Sequence, residues 1–267
     1  MGLLWIAVIM GIVEGLTEYI PVSSTGHLIV AGTVLGLQGE KSKTFEIFIQ
    51  LGAILAVVIH YRRRFLGLLD FRASEDGKFA GLRGCLLLGA TTAPVLVAGY
   101  LLHDTLKAHL FGPLTVAWAL GVGGVGILAV ERWRPRPDTE GLDRIGWGQA
   151  LGIGLFQCLS LWPGISRAGA TIVGGMLGRL DRKTAAEYSF FAAVPALTAA
   201  TVYDLYKSRD LLTMQDFSFF AVGFVVSFGA AWLAVAGFLR LLQRTSLRPF
   251  AWYRILIAPI IYYFMRS

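Results

Sequence analysis

The sequence predicts an all-α integral membrane protein with six transmembrane helices, two re-entrant helical hairpins and an inverted-topology repeat. Of the 267 residues, 55% are hydrophobic and only 15% are charged, whereas about 25% charged residues is usual in soluble domains. Six apolar segments are long enough to cross a bilayer, and two further apolar stretches are interrupted by polar residues. These observations exclude a soluble globular protein.

The first element is a re-entrant hairpin over residues 3–37. Its apolar runs, 3–13 and 28–37, are too short to span the hydrocarbon core. The stretch 14–27 between them carries two carboxylates, several hydroxyls, a proline and a histidine. Non-helical backbone at membrane depth survives only inside protein or beside water, and ionisable groups there indicate a functional site. We therefore expect residues 14–27 to form half of an active site.

The remaining elements form two halves with the same order of parts, within one membrane domain. The first repeat, 1–131, continues after the hairpin with spans at 45–61, 84–102 and 113–130. After a polar linker, the second repeat, 147–267, has a hairpin at 147–177 and spans at 186–206, 217–239 and 250–265. At a constant offset of 143, Glu14 aligns with Gln157, Ser23 with Ser166, Ser24 with Arg167 and Gly26 with Gly169. Three spans in each half predict that the halves are inverted.

The distribution of Lys and Arg predicts the orientation. If the chain enters the 45–61 span from outside, the inner loops hold sixteen of these residues and the outer segments hold six. The positive-inside rule favours this arrangement, with both termini outside. Because the basic residues lie at the ends of apolar segments, the net charge of +7 does not indicate nucleic-acid binding. Paired interrupted segments in inverted halves predict one shared site near the midplane.

The first interrupted stretch offers residues for binding and chemistry. Glu14 and Glu18 share one helical face, which suits a hard cation such as Mg²⁺ together with phosphate oxygens; the alternative is a solvated face. Ser23 or Ser24 is expected to cap a helix whose N-terminus can bind an anion. Ser24 and His27 are three residues apart, which allows a nucleophile beside a base. A capping serine and a hydrogen-bonded histidine without a catalytic role are the alternative.

The second interrupted stretch offers a matching set. Arg167 follows a glycine turn inside an apolar run, where an unpaired cation would be costly, and its guanidinium fits phosphate oxygens. The alternative is a buried ion pair with Glu14 or Glu18, and both interpretations can hold together. Ser166 and Thr171 add hydroxyl groups.

Other polar residues have lower priority. Glu46 and Gln50 are expected either to face the site or to pair with a neighbouring helix. His60 is expected at an interface without a catalytic role. Arg254, in the last span, is expected to snorkel towards the membrane surface.

Two motifs carry a resemblance to a known family. Glu14-Gly-Leu-Thr-Glu18 with Pro21-Val-Ser-Ser-Thr-Gly-His27, and Pro163-Gly-Ile-Ser-Arg167 with Gly169 and Thr171, closely resemble the signatures of the bacterial undecaprenyl-diphosphate phosphatases of the bacitracin-resistance type. The similarity extends to Phe45-Glu46, Ile49-Gln-Leu-Gly52 and Tyr188-Ser-Phe, and so covers nearly the whole chain. The family usually has Ser after the arginine, where this chain has Ala168, and we expect that hydroxyl to be auxiliary.

The resemblance implies a hydrolase of the bacterial inner membrane. It would convert undecaprenyl diphosphate to undecaprenyl phosphate and inorganic phosphate, recycling the lipid carrier for peptidoglycan synthesis. It would need a divalent cation, Mg²⁺ or alternatively Ca²⁺, held at Glu14 and Glu18, and its site would open to the periplasm. By position, the catalytic residues would be Glu14, Glu18, Ser24 and His27. Ser166, Arg167 and Thr171 would hold phosphate, and we expect Ser23, Thr25 and Gln157 to bind phosphate beside them.

Several alternatives stay open at this point. Either Ser24 attacks with His27 as base, or His27 activates water. Inverted repeats with broken helices are also a transporter layout, so a transporter or flippase for a phosphorylated polyprenyl lipid is the alternative function. Polyprenyl diphosphate and membrane lipids are the expected partners, nucleic acid is not, and the choice between monomer and homodimer is undecided.

Overall fold

The computed structural model describes residues 2–37, 39–71, 78–110, 112–209 and 216–266. Arg72, one of the basic residues counted for the orientation, lies outside these ranges. The described residues form eleven α-helices: α1 (Leu3–Thr17), α2 (Ser24–Leu35), α3 (Glu40–His60), α4 (Arg62–Leu69), α5 (Gly81–Leu110), α6 (Pro113–Trp133), α7 (Trp147–Gln157), α8 (Arg167–Leu177), α9 (Arg182–Ser208), α10 (Phe217–Leu242) and α11 (Arg248–Arg266). Short 3₁₀ segments lie at Leu142–Arg144 and Cys158–Leu161.

The predicted class, an all-α integral membrane protein, is confirmed. Five helices within the described ranges are long and apolar enough to cross a membrane: Lys41–His60, Gly81–Leu102, Leu114–Trp133, Arg182–Ser208 and Phe217–Leu242. The predicted sixth span, 250–265, coincides with α11, which is helical over 19 residues but is not among those five. The predicted hairpins coincide with the pairs of shorter helices α1–α2 and α7–α8. The sequence interpretation did not include α4.

Each hairpin packs mainly against helices of the other half of the chain. The α1–α2 hairpin contacts α10 and α11, whereas α7 and α8 contact α5 and α6. Glycines allow these close approaches: a Cβ atom at Gly15 would lie 2.4 Å from the carbonyl oxygen of Ser227, and one at Gly154 would lie 2.6 Å from that of Thr91. Small residues let membrane helices approach backbone to backbone. The hairpins are therefore held tightly against the helices that they contact.

The central helices are α3 and α9, which pack against each other. The second turn and middle of α9 contribute Tyr188, Phe190 and Phe191, all 0% exposed, to the main hydrophobic core. Buried alanines lie before and after these aromatic residues, so α3, α8 and α10 reach α9 closely. This core fixes the position of α9 beside the hairpin tips.

An ion pair joins helix ends at one end of the bundle. The carboxylate of Glu131 accepts two hydrogen bonds from Arg182, at 2.9 and 2.6 Å, and a third from the backbone N–H of Leu247 at 2.8 Å. The end of α6 and the starts of α9 and α11 therefore lie together.

The linker between the halves is attached at the same end. Asp143 accepts hydrogen bonds from the backbone N–H of Phe79 at 2.8 Å and from Arg64 at 3.0 Å. Burial acts to raise the pKa of Asp143, but these hydrogen bonds and the charge of Arg64 outweigh it and hold the pKa below its usual value.

Candidate active site

The two hairpin tips meet at Glu18. One carboxylate oxygen of Glu18 accepts a hydrogen bond from Nη2 of Arg167 at 2.8 Å, and the other accepts one from the Ser24 hydroxyl at 2.5 Å. The side chains of Arg167 and Glu18 are 9% and 5% exposed, so water screens the pair only weakly. The ion pair considered from the sequence is present, and it connects the hairpins of the two halves.

Ser24 is the first residue of α2, and the residue before it has an unusual backbone. Ser23 has φ 73° and ψ 92°, a conformation that non-glycine residues rarely adopt. Such a residue stores about 1–3 kcal/mol of strain. Within the described residues, no side chain caps this helix start, so the capping role predicted for Ser23 or Ser24 is not seen. The backbone N–H groups at the start of α2 are thus left for a ligand.

His27 has partners other than Ser24. Its Nδ1 lies 2.8 Å from the carbonyl oxygen of Ser23, and its Nε2 lies 2.6 Å from the hydroxyl of Tyr253. Because a carbonyl oxygen can only accept, Nδ1 carries the proton and Nε2 accepts from Tyr253. The structure therefore does not bring His27 and Ser24 into the hydrogen-bonded pair that their spacing predicted.

Arg167 is the first residue of α8, and its guanidinium is held on several sides. Nη1 donates to the carbonyl oxygen of Ser189 at 3.2 Å, and the group lies over the ring of Tyr19, 5.4 Å from its centroid. Among the described residues, buried Nε has no hydrogen-bond partner. The Nε–H group is therefore left without a protein acceptor among these residues.

Thr171 lies behind Arg167 and does not line the cavity described below. Its hydroxyl is 2.9 Å from the carbonyl oxygen of Arg167 and 2.6 Å from the hydroxyl of Ser189, and the residue is 0% exposed. It supports the arginine from inside the protein. Ser166, also predicted to bind phosphate, lines the cavity and caps α8 by accepting from the Gly169 N–H at 3.1 Å.

Glu14 and Gln157 each carry one of the buried oxygens that lack a hydrogen-bond partner in the described part of the chain. Glu14 and Gln157 are each 1% exposed, and Oε1 of each has no hydrogen-bond partner. Uncompensated oxygens of this kind suit water or a cation. No group of three or more His, Cys, Asp or Glu side chains that could hold a metal alone occurs among the described residues. A cation at Glu14 and Glu18 would therefore need further oxygen ligands, such as Gln157, water or a bound phosphate.

A cavity of about 940 Å³ opens beside these groups. Polar residues from both hairpins and from α3 line it: Glu18, Ser23, Ser24, Thr25, Gln50, Gln157, Ser160, Ser166 and Arg167. The opposite wall is largely apolar and comes from the later halves of α5 and α9: Val95, Leu96, Gly99, Tyr100, Leu101, Ala196, Leu197, Ala199, Ala200, Tyr203 and Asp204. The cavity therefore lies towards the end of the bundle where α5 and α9 finish, away from the Glu131–Arg182 pair.

Glu46 and Gln50 have different positions. Gln50 lines the cavity, and its side-chain oxygen accepts from Thr201 at 3.3 Å. Glu46 is not among the residues that line the cavity, and it accepts from Ser42 at 3.3 Å.

The expectation that Arg254 snorkels is wrong. Its side chain is 1% exposed, and the guanidinium donates to the carbonyl oxygens of Leu120, Pro21, Ala119 and Gly164. The sequence reasoning also missed Tyr253 and Ser189. For Arg254 the sequence did contain a signal, because it is a single arginine inside an apolar span. The glycine pair Gly123 and Gly124 in α6, which makes room for the arginine in the structure, is also visible in the sequence.

Comparisons with known proteins identify the family of the chain. A sequence model of the family described as "Bacitracin resistance protein BacA" matches residues 7–260. The chain is 57% identical over 261 residues, 98% of each chain, to an undecaprenyl-diphosphatase of Maridesulfovibrio salexigens. It is 59% identical over 259 residues, 97% of each chain, to one of Nitratidesulfovibrio vulgaris. A third similar protein, from Oleidesulfovibrio alaskensis, is 54% identical over 258 residues, again 97% of each chain.

Proposed function

The chain belongs to the family of the bacitracin resistance protein BacA, and we propose that it is an undecaprenyl-diphosphatase of the cell membrane. It hydrolyses undecaprenyl diphosphate to undecaprenyl phosphate and inorganic phosphate, which returns the carrier lipid to cell-wall synthesis. The observation that carries this proposal is the contact of Glu18 with both the Ser24 hydroxyl and the Arg167 guanidinium beside one cavity.

The terminal phosphate binds between the two hairpin tips. Arg167 offers its unpartnered Nε–H, and α2 offers the N–H groups of its first turn. Charge-assisted donors and a helix N-terminus both favour phosphate oxygens. Donors fixed in advance also stabilise charge on the transferring phosphoryl group. The hydroxyl groups of Ser23, Thr25 and Ser166 complete the polar lining.

Ser24 is the nucleophile in the mechanism that we favour. Its oxygen attacks the terminal phosphorus while its proton passes to Glu18, the side chain to which it is hydrogen-bonded. The bond from that phosphorus to the bridging oxygen breaks, and undecaprenyl phosphate leaves with the bonding electrons. Water then attacks the phosphoserine, Glu18 returns the proton to the Ser24 oxygen, and phosphate leaves. The base is thus Glu18, because both ring nitrogens of His27 are engaged elsewhere.

The alternative mechanism is direct attack by water, with Ser24 as an orienting group. Rapid quenching with terminally ³²P-labelled substrate separates the two. A labelled protein that yields phosphoserine, and that is absent from Ser24→Ala, supports the nucleophile. A Ser24→Ala variant that keeps a substantial rate without any labelled protein supports water.

A divalent cation is part of the proposal, with Mg²⁺ as the first choice and Ca²⁺ as the second. The residues fit it, because the orphaned Oε1 of Glu14, the carboxylate of Glu18 and the orphaned Oε1 of Gln157 are oxygen ligands. When bound with substrate, the cation would neutralise negative charge on the phosphate oxygens. Removal of divalent ions with EDTA should abolish phosphate release, and added Mg²⁺ should restore it. Full activity after exhaustive chelation would contradict the proposal.

The polyprenyl tail lies along the apolar wall that α5 and α9 provide. Pro94 and Pro195 interrupt the hydrogen bonding of these two helices beside the cavity. The excess of Lys and Arg at the opposite end of the bundle supports a cavity that opens to the periplasmic side, with both termini outside.

Phosphate release by purified protein in detergent tests the function. Hydrolysis needs no second compartment, whereas transport does, so the assay separates the phosphatase from the transporter. Wild-type protein should release phosphate from undecaprenyl diphosphate, and Arg167→Ala should lower the rate at least about a hundredfold. Protein that binds the lipid but releases no phosphate, with Mg²⁺ supplied, would favour the transporter.

A further inference from the structure

Helix α11 contacts the tips of both hairpins through one side chain. Nη1 of Arg254 donates to the carbonyl oxygen of Pro21 at 3.3 Å in the first tip, and Nη2 donates to that of Gly164 at 3.1 Å in the second. Nε and Nη2 also donate to carbonyl oxygens of α6, at 3.2 and 3.3 Å. The two loops that carry Ser24 and Arg167 are therefore joined to each other and to α6 through one guanidinium.

The space for this group is built into α6. A Cβ atom at Gly123 would lie 2.1 Å from Nη2 of Arg254, so any side chain there would displace the guanidinium. Within the described residues Arg254 has no carboxylate partner, and all of its hydrogen-bond acceptors are carbonyl oxygens. A buried cation without a counter-ion is costly, whereas unpaired carbonyl groups of non-helical backbone at membrane depth are also costly. The hydrogen bonds of Arg254 satisfy the carbonyl groups of Pro21 and Gly164 and at the same time solvate the buried cation.

The neighbouring residue of α11 reaches the same loop. The hydroxyl of Tyr253 donates to Nε2 of His27 at 2.6 Å, and Nδ1 of His27 donates to the carbonyl oxygen of Ser23 at 2.8 Å. The rings of Tyr253 and His27 are nearly parallel, at 7°, with centroids 5.6 Å apart. This line of contacts ends on Ser23, whose backbone conformation is strained. A strained residue persists only where its surroundings determine it.

We propose that Tyr253 and Arg254 are positioning residues for the proposed hydrolysis. They hold residues 21–24 and the turn at Gly164 so that the Ser24 hydroxyl and the Arg167 guanidinium meet at Glu18. Neither side chain lines the cavity, so both act through the loop backbone and His27. This inference rests on the proposed function, but its geometric part does not depend on activity.

The kinetic test uses Arg254→Lys, Tyr253→Phe and Gly123→Ala, with Tyr262→Phe as control. The control removes a hydroxyl from the same helix at a residue whose hydroxyl makes no hydrogen bond to the described part of the chain. Rates of phosphate release are expressed per folded molecule. We expect kcat to fall about a hundredfold in Arg254→Lys, the scale of a 1 Å misplacement, and about tenfold in Tyr253→Phe. KM and inhibition by inorganic phosphate should stay within about threefold, because none of these variants removes a side chain that lines the cavity.

Gly123→Ala keeps the charge and all donors of Arg254 and should still lower kcat. Values of kcat within twofold of wild type in Arg254→Lys and Tyr253→Phe would overturn the proposal. A rise in KM with unchanged kcat would overturn it too, because that result indicates direct substrate binding. A loss of rate that matches only the loss of folded protein would indicate a structural role and would also overturn it.

Imidazole ¹⁵N spectra of histidine-labelled protein test the geometry without any substrate. The chain has four histidines, and His27→Gln identifies the His27 signals. Wild type should show a protonated Nδ1 and a hydrogen-bonded Nε2. In Tyr253→Phe only Nε2 should shift, towards the value of a free acceptor, with the control unchanged. An unchanged ¹⁵N chemical shift of Nε2 in Tyr253→Phe would refute the contact between Tyr253 and His27, even if the protein is active. If the shift changes as expected but the wild-type protein has no phosphatase activity, only the proposed function is refuted.

Discussion

Replacing Glu18 by Gln removes the negative charge at the point where the two hairpins meet. In the wild type one carboxylate oxygen accepts from Ser24 and the other from Arg167. An amide has a single acceptor oxygen, so Gln can keep only one of these two contacts. In either orientation the change removes the proposed base and leaves the arginine without its carboxylate partner.

The burial of the pair sets the size of the effect on stability. With side chains 9% and 5% exposed, little water is available to solvate the remaining cation. Removing one partner of such a buried pair lowers the free energy of unfolding by about 3–5 kcal/mol. Loss of a positioned base lowers the rate by about 10²–10⁴-fold. We expect kcat of Glu18→Gln to fall at least a hundredfold.

A double-mutant cycle separates the ion pair from general damage. The rates of phosphate release and the unfolding free energies are measured for Glu18→Gln, Arg167→Gln and the double variant, with exposed Glu140→Gln as control. The double variant should be more stable than the sum of the single losses predicts, by about 2–3 kcal/mol, because no unpaired charge remains. Losses that add to within about 0.5 kcal/mol, or a Glu18→Gln rate within tenfold of wild type, would refute the reasoning.

Three further predictions concern residues outside the reacting groups. Ala168→Ser, which introduces a hydroxyl at a position 0% exposed in the core, should keep kcat within about twofold and lower the unfolding free energy by about 1 kcal/mol; a large gain in rate would show that the hydroxyl takes part in the reaction. His60→Ala removes edge contacts with Tyr61 and Trp232 and no residue that lines the cavity, so phosphate release should stay within about twofold, and a tenfold loss would contradict that placement. The pKa of Asp143 is lower in the folded protein, so its ionised form contributes stability above about pH 3.9, and this stability is lost as the pH falls through the folded pKa. The unfolding free energy of Asp143→Asn, measured against pH, should lack this loss at acid pH. A profile identical to that of the wild type would refute the assignment.

The sequence was sufficient to predict where the two polar stretches lie and that they meet. Short apolar runs around Glu14–His27 and around Gln157–Arg167 indicated hairpins, because neither run could span a bilayer. The cost of an unpaired Arg167 at that depth also predicted a partner such as Glu18. These inferences depend on the properties of the lipid bilayer and on the spacing of nearby residues. Both can be judged from the sequence alone. The functional roles of the individual site residues stay predictions.

The remaining contacts depend on packing between distant segments. Ser24 and His27 are close in sequence, but the hydroxyl of Tyr253, 226 positions further along, determines where the imidazole bonds. The spacing of residues along a helix predicts which face of the helix a residue lies on. It does not predict which other helix packs against that face. Arg254 was assigned to the membrane surface for the same reason, since nothing within its own helix indicated four carbonyl groups from other segments.

The packing of each hairpin against helices of the other half of the chain has a consequence for biosynthesis. A chain emerges from the ribosome N-terminus first, so α1 and α2 are made long before α10 and α11 against which they pack. Until then the break between them lacks the protein surroundings that non-helical backbone requires in lipid. The nascent N-terminal half must therefore wait, incompletely inserted or sheltered by the insertion machinery, for the last helix. Catalytic competence arrives only at the end of translation, and an N-terminal fragment cannot acquire it alone.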